Sequence, residues 1–205
     1  MNIQDISVED LQDKKYQEIF PDLYLLKGLI EFGLWHNHQD IFDHILKDFK
    51  YLHLIIKNPP LDKEKEIIFR NRLSQKIDNH TREELLKLMI LYHDVGKRHT
   101  LISTANVTAT PGHEHIAALL VKQNKKIKDN FSLSIKELNI LSHLISLHDF
   151  ISDIADIYEH REDDSLLDLF SKIAGVWDVE LAMFILADLY GSDLIYIDNK
   201  MYQKR

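Results

Sequence analysis

Apolar side chains recur at three- and four-residue spacing along almost the whole 205-residue chain, and this period most narrows the fold. A half-buried strand alternates by two, whereas this spacing lines one face of a helix. The chain has only 6 Gly and 4 Pro, too few for the many tight hairpins of a strand-rich fold. The expectation is an all-α fold, a compact helical bundle forming one domain over 1–205.

Local signals mark the helix ends. Ser7 with Asp10 resembles a capping box for a short helix ending before Pro21. The stretch 22–34 is apolar on most sides and predicts a buried helix. Further helices are expected over 40–56, stopped by Asn58-Pro59-Pro60, and over 62–78. Thr81 and Glu84 cap a helix ending at Val95-Gly96. Residues 98–112 lack helical period and predict an irregular loop, long enough to suggest a functional role. Helices follow over 113–126, from a Ser134/Glu137 cap to 148, over 151–160 and 163–173, and over 178–190, where Gly191 ends the last.

The formal charge of −8 disfavours stable nucleic-acid binding, which usually needs a basic face. Lys122, Lys125, Lys126 and Lys128 read as a solvated face. A small anionic substrate suits this balance better than a duplex. The start lacks the basic and apolar regions of a signal peptide, and no apolar run approaches the roughly 18 residues of a membrane span. A cytoplasmic protein is expected. With no cysteine, thiolate ligation is excluded, but 12 histidines supply the commonest protein metal ligand.

The pivotal segment is His93-Asp94-Val95-Gly96-Lys97. Adjacent side chains diverge by about 100° inside a helix, but at a helix end facing a cavity both can reach the same ion or a pair of ions. Imidazole and carboxylate suit divalent transition metals, and a carboxylate can bridge two. Lys97, just past Gly96, is placed to present a cation to a phosphate. Asp188 sits in a nearly continuous apolar helix, where an unpartnered carboxylate costs several kcal/mol; a metal removes that difficulty.

These elements resemble the HD superfamily of metal-dependent phosphohydrolases, nearest to the HD region of bacterial tRNA nucleotidyltransferases. The likeness runs over about 34–193: His36-Asn37-His38-Gln39-Asp40-Ile41-Phe42-Asp43-His44, the dyad in Leu91-Tyr92-His93-Asp94, then Gly112-His113-Glu114, Leu147-His148 and Ala187-Asp188. The resemblance implies a primary metal on His44, His93, Asp94 and Asp188. It adds His113 and His148 for a second ion, with Asp94 bridging. The two ions would be drawn from Mn, Fe, Ni, Co, Zn or Mg. It also implies hydrolysis of a phosphomonoester or phosphodiester of a nucleotide or similar small molecule by metal-activated water, with Asp94 and Lys97 catalytic.

Other residues read more plainly. His36 and His38 precede the His44 helix and can line a pocket mouth, whereas His115 and His143 do not share the ligand faces. His53, His80, His99 and His160 are expected at the surface, and Asp40 and Asp43 as helix N-terminal charges. Phe32, Trp35, Phe42, Phe49, Phe170, Trp177 and Phe184 are expected in the core. Two alternatives stand beside the hydrolase: a non-catalytic or regulatory metal-binding HD module that keeps the fold without turnover, and an RNA-processing phosphodiesterase or nuclease. The complete six-ligand set argues against the first. The acidic charge, and the lack of a nucleotidyltransferase head, argue against the second.

Overall fold

The structure, a computed structural model, describes residues 1–32, 36, 38–105, 107–161 and 163–192, with backbone alone at 155, 156 and 159–161. The expectations for Trp35 and His160 lie outside what is described. The fold is all-α. In chain order the elements are α1 (Val8–Gln12), α2 (Pro21–Tyr24), β1 (Ile30–Glu31), β2 (Gln39–Asp40), α3 (Ile41–Lys57), α4 (Lys63–Leu73), α5 (Arg82–Tyr92), α6 (Lys97–Thr100), β3 (Ile102–Ser103), β4 (Thr108–Ala109), α7 (His113–Gln123), α8 (Lys125–Phe131), α9 (Ile135–Arg161), α10 (Ser165–Ala174) and α11 (Asp178–Gly191). Among the described residues no helix is long and apolar enough to cross a membrane.

Caps fix several helix starts. The Thr81 hydroxyl accepts from the Glu84 N–H while the Glu84 carboxylate accepts from the Thr81 N–H, a complete capping box for α5. Ser134 and Glu137 exchange the same pair of bonds before α9. Asp40 accepts from the N–H groups of Phe42 and Asp43 and so starts α3. These contacts satisfy donors that every helix start leaves open.

Helix α5 forms the centre. Its residues from Leu85 to Tyr92 are all buried, and α3, α9 and α11 pack around it. Phe42, Phe49, Trp177 and Phe184 lie in the core, and Phe170 packs against it half-buried. At the far end of α5, Arg82 forms a two-pronged pair with Glu180 of α11, at 2.5 and 2.9 Å, both side chains buried. The guanidinium also stacks over Trp177, 3.9 Å from the ring centroid. This anchors α11 to α5 away from the helix ends that carry His93 and Asp188.

Several boundaries differ from the sequence reading. Over 22–34 only α2 is helical; the chain then turns at Gly28, whose N–H donates to Asp40 Oδ2 at 2.7 Å, and Ile30–Glu31 pairs antiparallel with Gln39–Asp40. The helix expected over 62–78 ends at Leu73. Residues 97–110 hold a helical turn and a small hairpin, β3 pairing with β4, rather than a featureless loop. The helices expected to either side of 149 are one, α9, because nothing there breaks the period. His80 is buried, not superficial: Glu137 accepts its backbone N–H at 2.7 Å and faces its ring at 3.2 Å.

Gly96 sits where two backbones touch. A Cβ there would overlap the His113 carbonyl oxygen and lie 2.9 Å from the Ala117 nitrogen. Gly96→Ala is expected to destabilise the protein by about 3 kcal/mol through this overpacking, and Glu180→Gln by about 3 kcal/mol by stranding a buried guanidinium. Urea unfolding followed by circular dichroism reads both; values near zero would contradict the packing described.

Candidate metal centre

Five helix-borne segments deliver the site. His44 lies in the second turn of α3, His93 caps α5 with Asp94 just beyond it, and His113 opens α7. His148 lies midway along α9 and Asp188 in the last turn of α11. The side chains of His44, His93, Asp94, His113 and His148 are all buried, and that of Asp188 keeps 28% exposure. All six residues named from sequence meet in one place.

The ring orientations follow from hydrogen bonds. Nδ1 of His93 meets the Ile90 carbonyl at 2.8 Å, that of His113 the Thr110 carbonyl at 2.8 Å, and that of His148 the Ile145 carbonyl at 2.7 Å. A carbonyl only accepts, so each Nδ1 carries a proton and each Nε2 is turned inward. Nδ1 of His44 has no such partner.

Asp94 is the hub. Its Oδ1 lies 3.1 Å from His113 Nε2 and 3.8 Å from His148 Nε2, while its Oδ2 lies 3.3 Å from His93 Nε2 and 3.8 Å from His44 Nε2. His44 Nε2 is also 3.0 Å from Asp188 Oδ1. One carboxylate thus faces two pairs of imidazoles, one pair per oxygen. Among the described residues, ligand atoms cluster within 4.8 Å in three groups: His44, Asp48, His93 and Asp188; Asp94, His113 and His148; and His113, Glu114 and Asp149.

Charge follows position. Burial opposes ionisation of Asp94, but His93, Lys97, His113 and His148 outweigh it and hold the carboxyl well below its usual range. Burial likewise opposes ionisation of Asp188, and His44 and His93 overcome it, so that carboxyl is also held low. For His93 and His113, burial works against protonation, yet Asp94 lifts both imidazoles above their ordinary value. Lys97 keeps its charge despite burial because its ammonium lies 2.8 Å from both Asp94 Oδ2 and Glu31 Oε2. It is therefore held between two carboxylates rather than projecting freely.

The donor set fits divalent cations. His113 Nε2 and His148 Nε2 are 3.1 Å apart, close enough to share a proton or to meet on one cation. Ligands about 2.1 Å from one ion and at right angles lie about 3.0 Å apart. Nitrogen and oxygen donors without sulfur suit Mn, Fe, Co, Ni or Zn.

Other histidines fall outside the ligand set. His36 Nδ1 bonds Gln39 Oε1 at 3.0 Å and its ring lies 5.1 Å from that of His44, at the edge of the site. His38 is exposed and stacks on Phe32, and His115 and His143 are exposed. Sequence reasoning missed Asp48, Glu31 and Asp149. Asp48 follows His44 by four residues on one helix, a same-face spacing that was there to be read. Glu31 had no such signal, since β2 pairing brings it in.

No family model matches the chain, and no curated protein does. The site therefore rests on its own geometry. Because imidazoles must lose their protons to bind a cation, affinity for Mn²⁺ is expected to fall as pH drops from about 8 to about 6. The raised values of His93 and His113 extend this proton competition above the usual imidazole range. Calorimetric titration at several pH values would show it; affinity flat across that range would speak against histidine ligation.

Proposed function

We propose that the protein is a metal-dependent phosphohydrolase of the HD type, acting on a phosphomonoester or phosphodiester of a nucleotide or similar small molecule. The observation that carries this reading is the Asp94 carboxylate, with one oxygen turned to His113 and His148 and the other to His93 and His44. That arrangement suits two divalent ions bridged by Asp94: one on His44, His93 and Asp188, the other on His113 and His148. Held there, divalent cations supply activation of water near neutral pH and charge neutralisation at phosphoryl oxygens.

The chain's own groups complement that chemistry. Asp94 stays ionised and so offers both oxygens at once. The backbone carbonyls of Ile90, Thr110 and Ile145 fix the tautomers of His93, His113 and His148 before any ligand arrives, so little reorganisation is needed. Lys97 adds a permanent positive charge beside Asp94, where negative charge would gather on a phosphoryl group. Asp149, half-exposed and 3.6 Å from His148 Nε2, stands where the centre meets solvent.

Turnover of p-nitrophenyl phosphate, bis-p-nitrophenyl phosphate or a nucleotide panel with Mn²⁺, Ni²⁺, Mg²⁺ or Co²⁺ tests this. Chelator and Asp94→Ala are each expected to bring hydrolysis to background, and Lys97→Met to lower kcat by about 100-fold. Wild-type turnover by the Asp94→Ala protein would remove the mechanism. Bound metal with no hydrolysis across the panel would favour a binding module instead.

A further inference from the structure

Among the described residues of this centre, Asp48 has both carboxyl oxygens without a hydrogen-bond partner. It is fully buried, and no donor meets either of its oxygens. Its nearest polar neighbours are His44 Nε2 at 3.3 Å and His93 Nε2 at 3.9 Å, both from Oδ2. Neutral carboxylic acids buried in proteins normally donate their proton to an acceptor. This one faces nitrogens already turned toward Asp94 and Asp188.

The backbone also makes room for it. α11 passes so close that a Cβ on Gly191 would overlap Asp48 Oδ1 and lie 2.9 Å from the Asp48 backbone nitrogen. Any other residue at 191 would displace this carboxylate. Two elements therefore converge to keep this carboxyl group against His44 and His93.

Building on the proposed two-metal reading, we infer that Asp48 is an additional ligand of the ion on His44, His93 and Asp188, and that the two ions are unequal as a result. The first position then has carboxylates from Asp48 and Asp188 plus a share of Asp94, against two neutral imidazoles. That is more negative charge than one divalent ion carries, so the ion is tightly held, has few open positions and is a poor Lewis acid. Oxygen-rich ligation also moves its preference toward harder cations such as Mn²⁺. The second position has two neutral imidazoles and only a share of Asp94. Its ion keeps net positive charge and open coordination positions beside the half-exposed Asp149, so it is the exchangeable one and the one that takes an anionic oxygen.

The test is equilibrium dialysis of the full chain against Mn²⁺ alone, with bound metal counted by mass spectrometry. Wild type is expected to show one tight and one weak ion. His148→Ala should lose the weak ion and keep the tight one. Asp48→Asn, nearly identical in shape, should weaken the tight site by more than about 100-fold, beyond what loss of an outer-shell partner does. Gly191→Ala should do the same by displacing the carboxylate. Two unchanged dissociation constants in Asp48→Asn would overturn the assignment while leaving the metal centre standing. Wild-type protein that binds no Mn²⁺ would overturn the centre and this inference together. Should Asp48→Asn not fold, the wild-type titration still decides: two ions of equal affinity refute the asymmetry.

Discussion

Burying carboxylates is the constraint around which the rest is arranged. Asp48 and Asp94 are fully enclosed and Asp188 partly so, in a space lined by four imidazoles. Removing one such charge from water costs several kcal/mol unless it is paired. The fold answers with Lys97 at Asp94, with His44 at Asp188, and with inward Nε2 atoms that a proton or a metal ion can occupy. A core that was merely packed would have no reason to gather these groups.

The helices explain how residues up to 144 positions apart, from His44 to Asp188, reach one point. α5 is buried on every side and ends at the site, so His93 and Asp94 emerge from the most constrained segment of the molecule. α3, α9 and α11 pack on α5, and each contributes from a face already fixed by apolar contacts. The Arg82–Glu180 pair restrains α11 at its start, leaving its last turn to carry Asp188 against His44.

Much of this was legible in the chain itself. Helical period located α3, α5, α11 and the first half of α9, the Thr81 and Ser134 caps marked two of their starts, and the dyad at the end of α5 drew attention to the right place. What escaped was set by contacts distant in sequence. Residues 22–34 carry an apolar pattern that suits a helix, yet Gly28 binding Asp40 and the β1–β2 pairing override it. His80 looked like an isolated polar residue because its partner, Glu137, is 57 positions away. Asp48 shares a helix face with His44, yet an acid on an amphipathic helix reads as solvent-facing, and its packing against Gly191 shows that it faces in.

The contact between Gly96 and the His113 carbonyl has a mechanical meaning. Gly96 follows Asp94 by two residues, and His113 supplies a nitrogen to the other half of the site. The distance across the centre is thus gauged by main chain resting on main chain rather than by side-chain rotamers. Such a jaw has a set width, and ionic radius becomes a criterion for what it will grip.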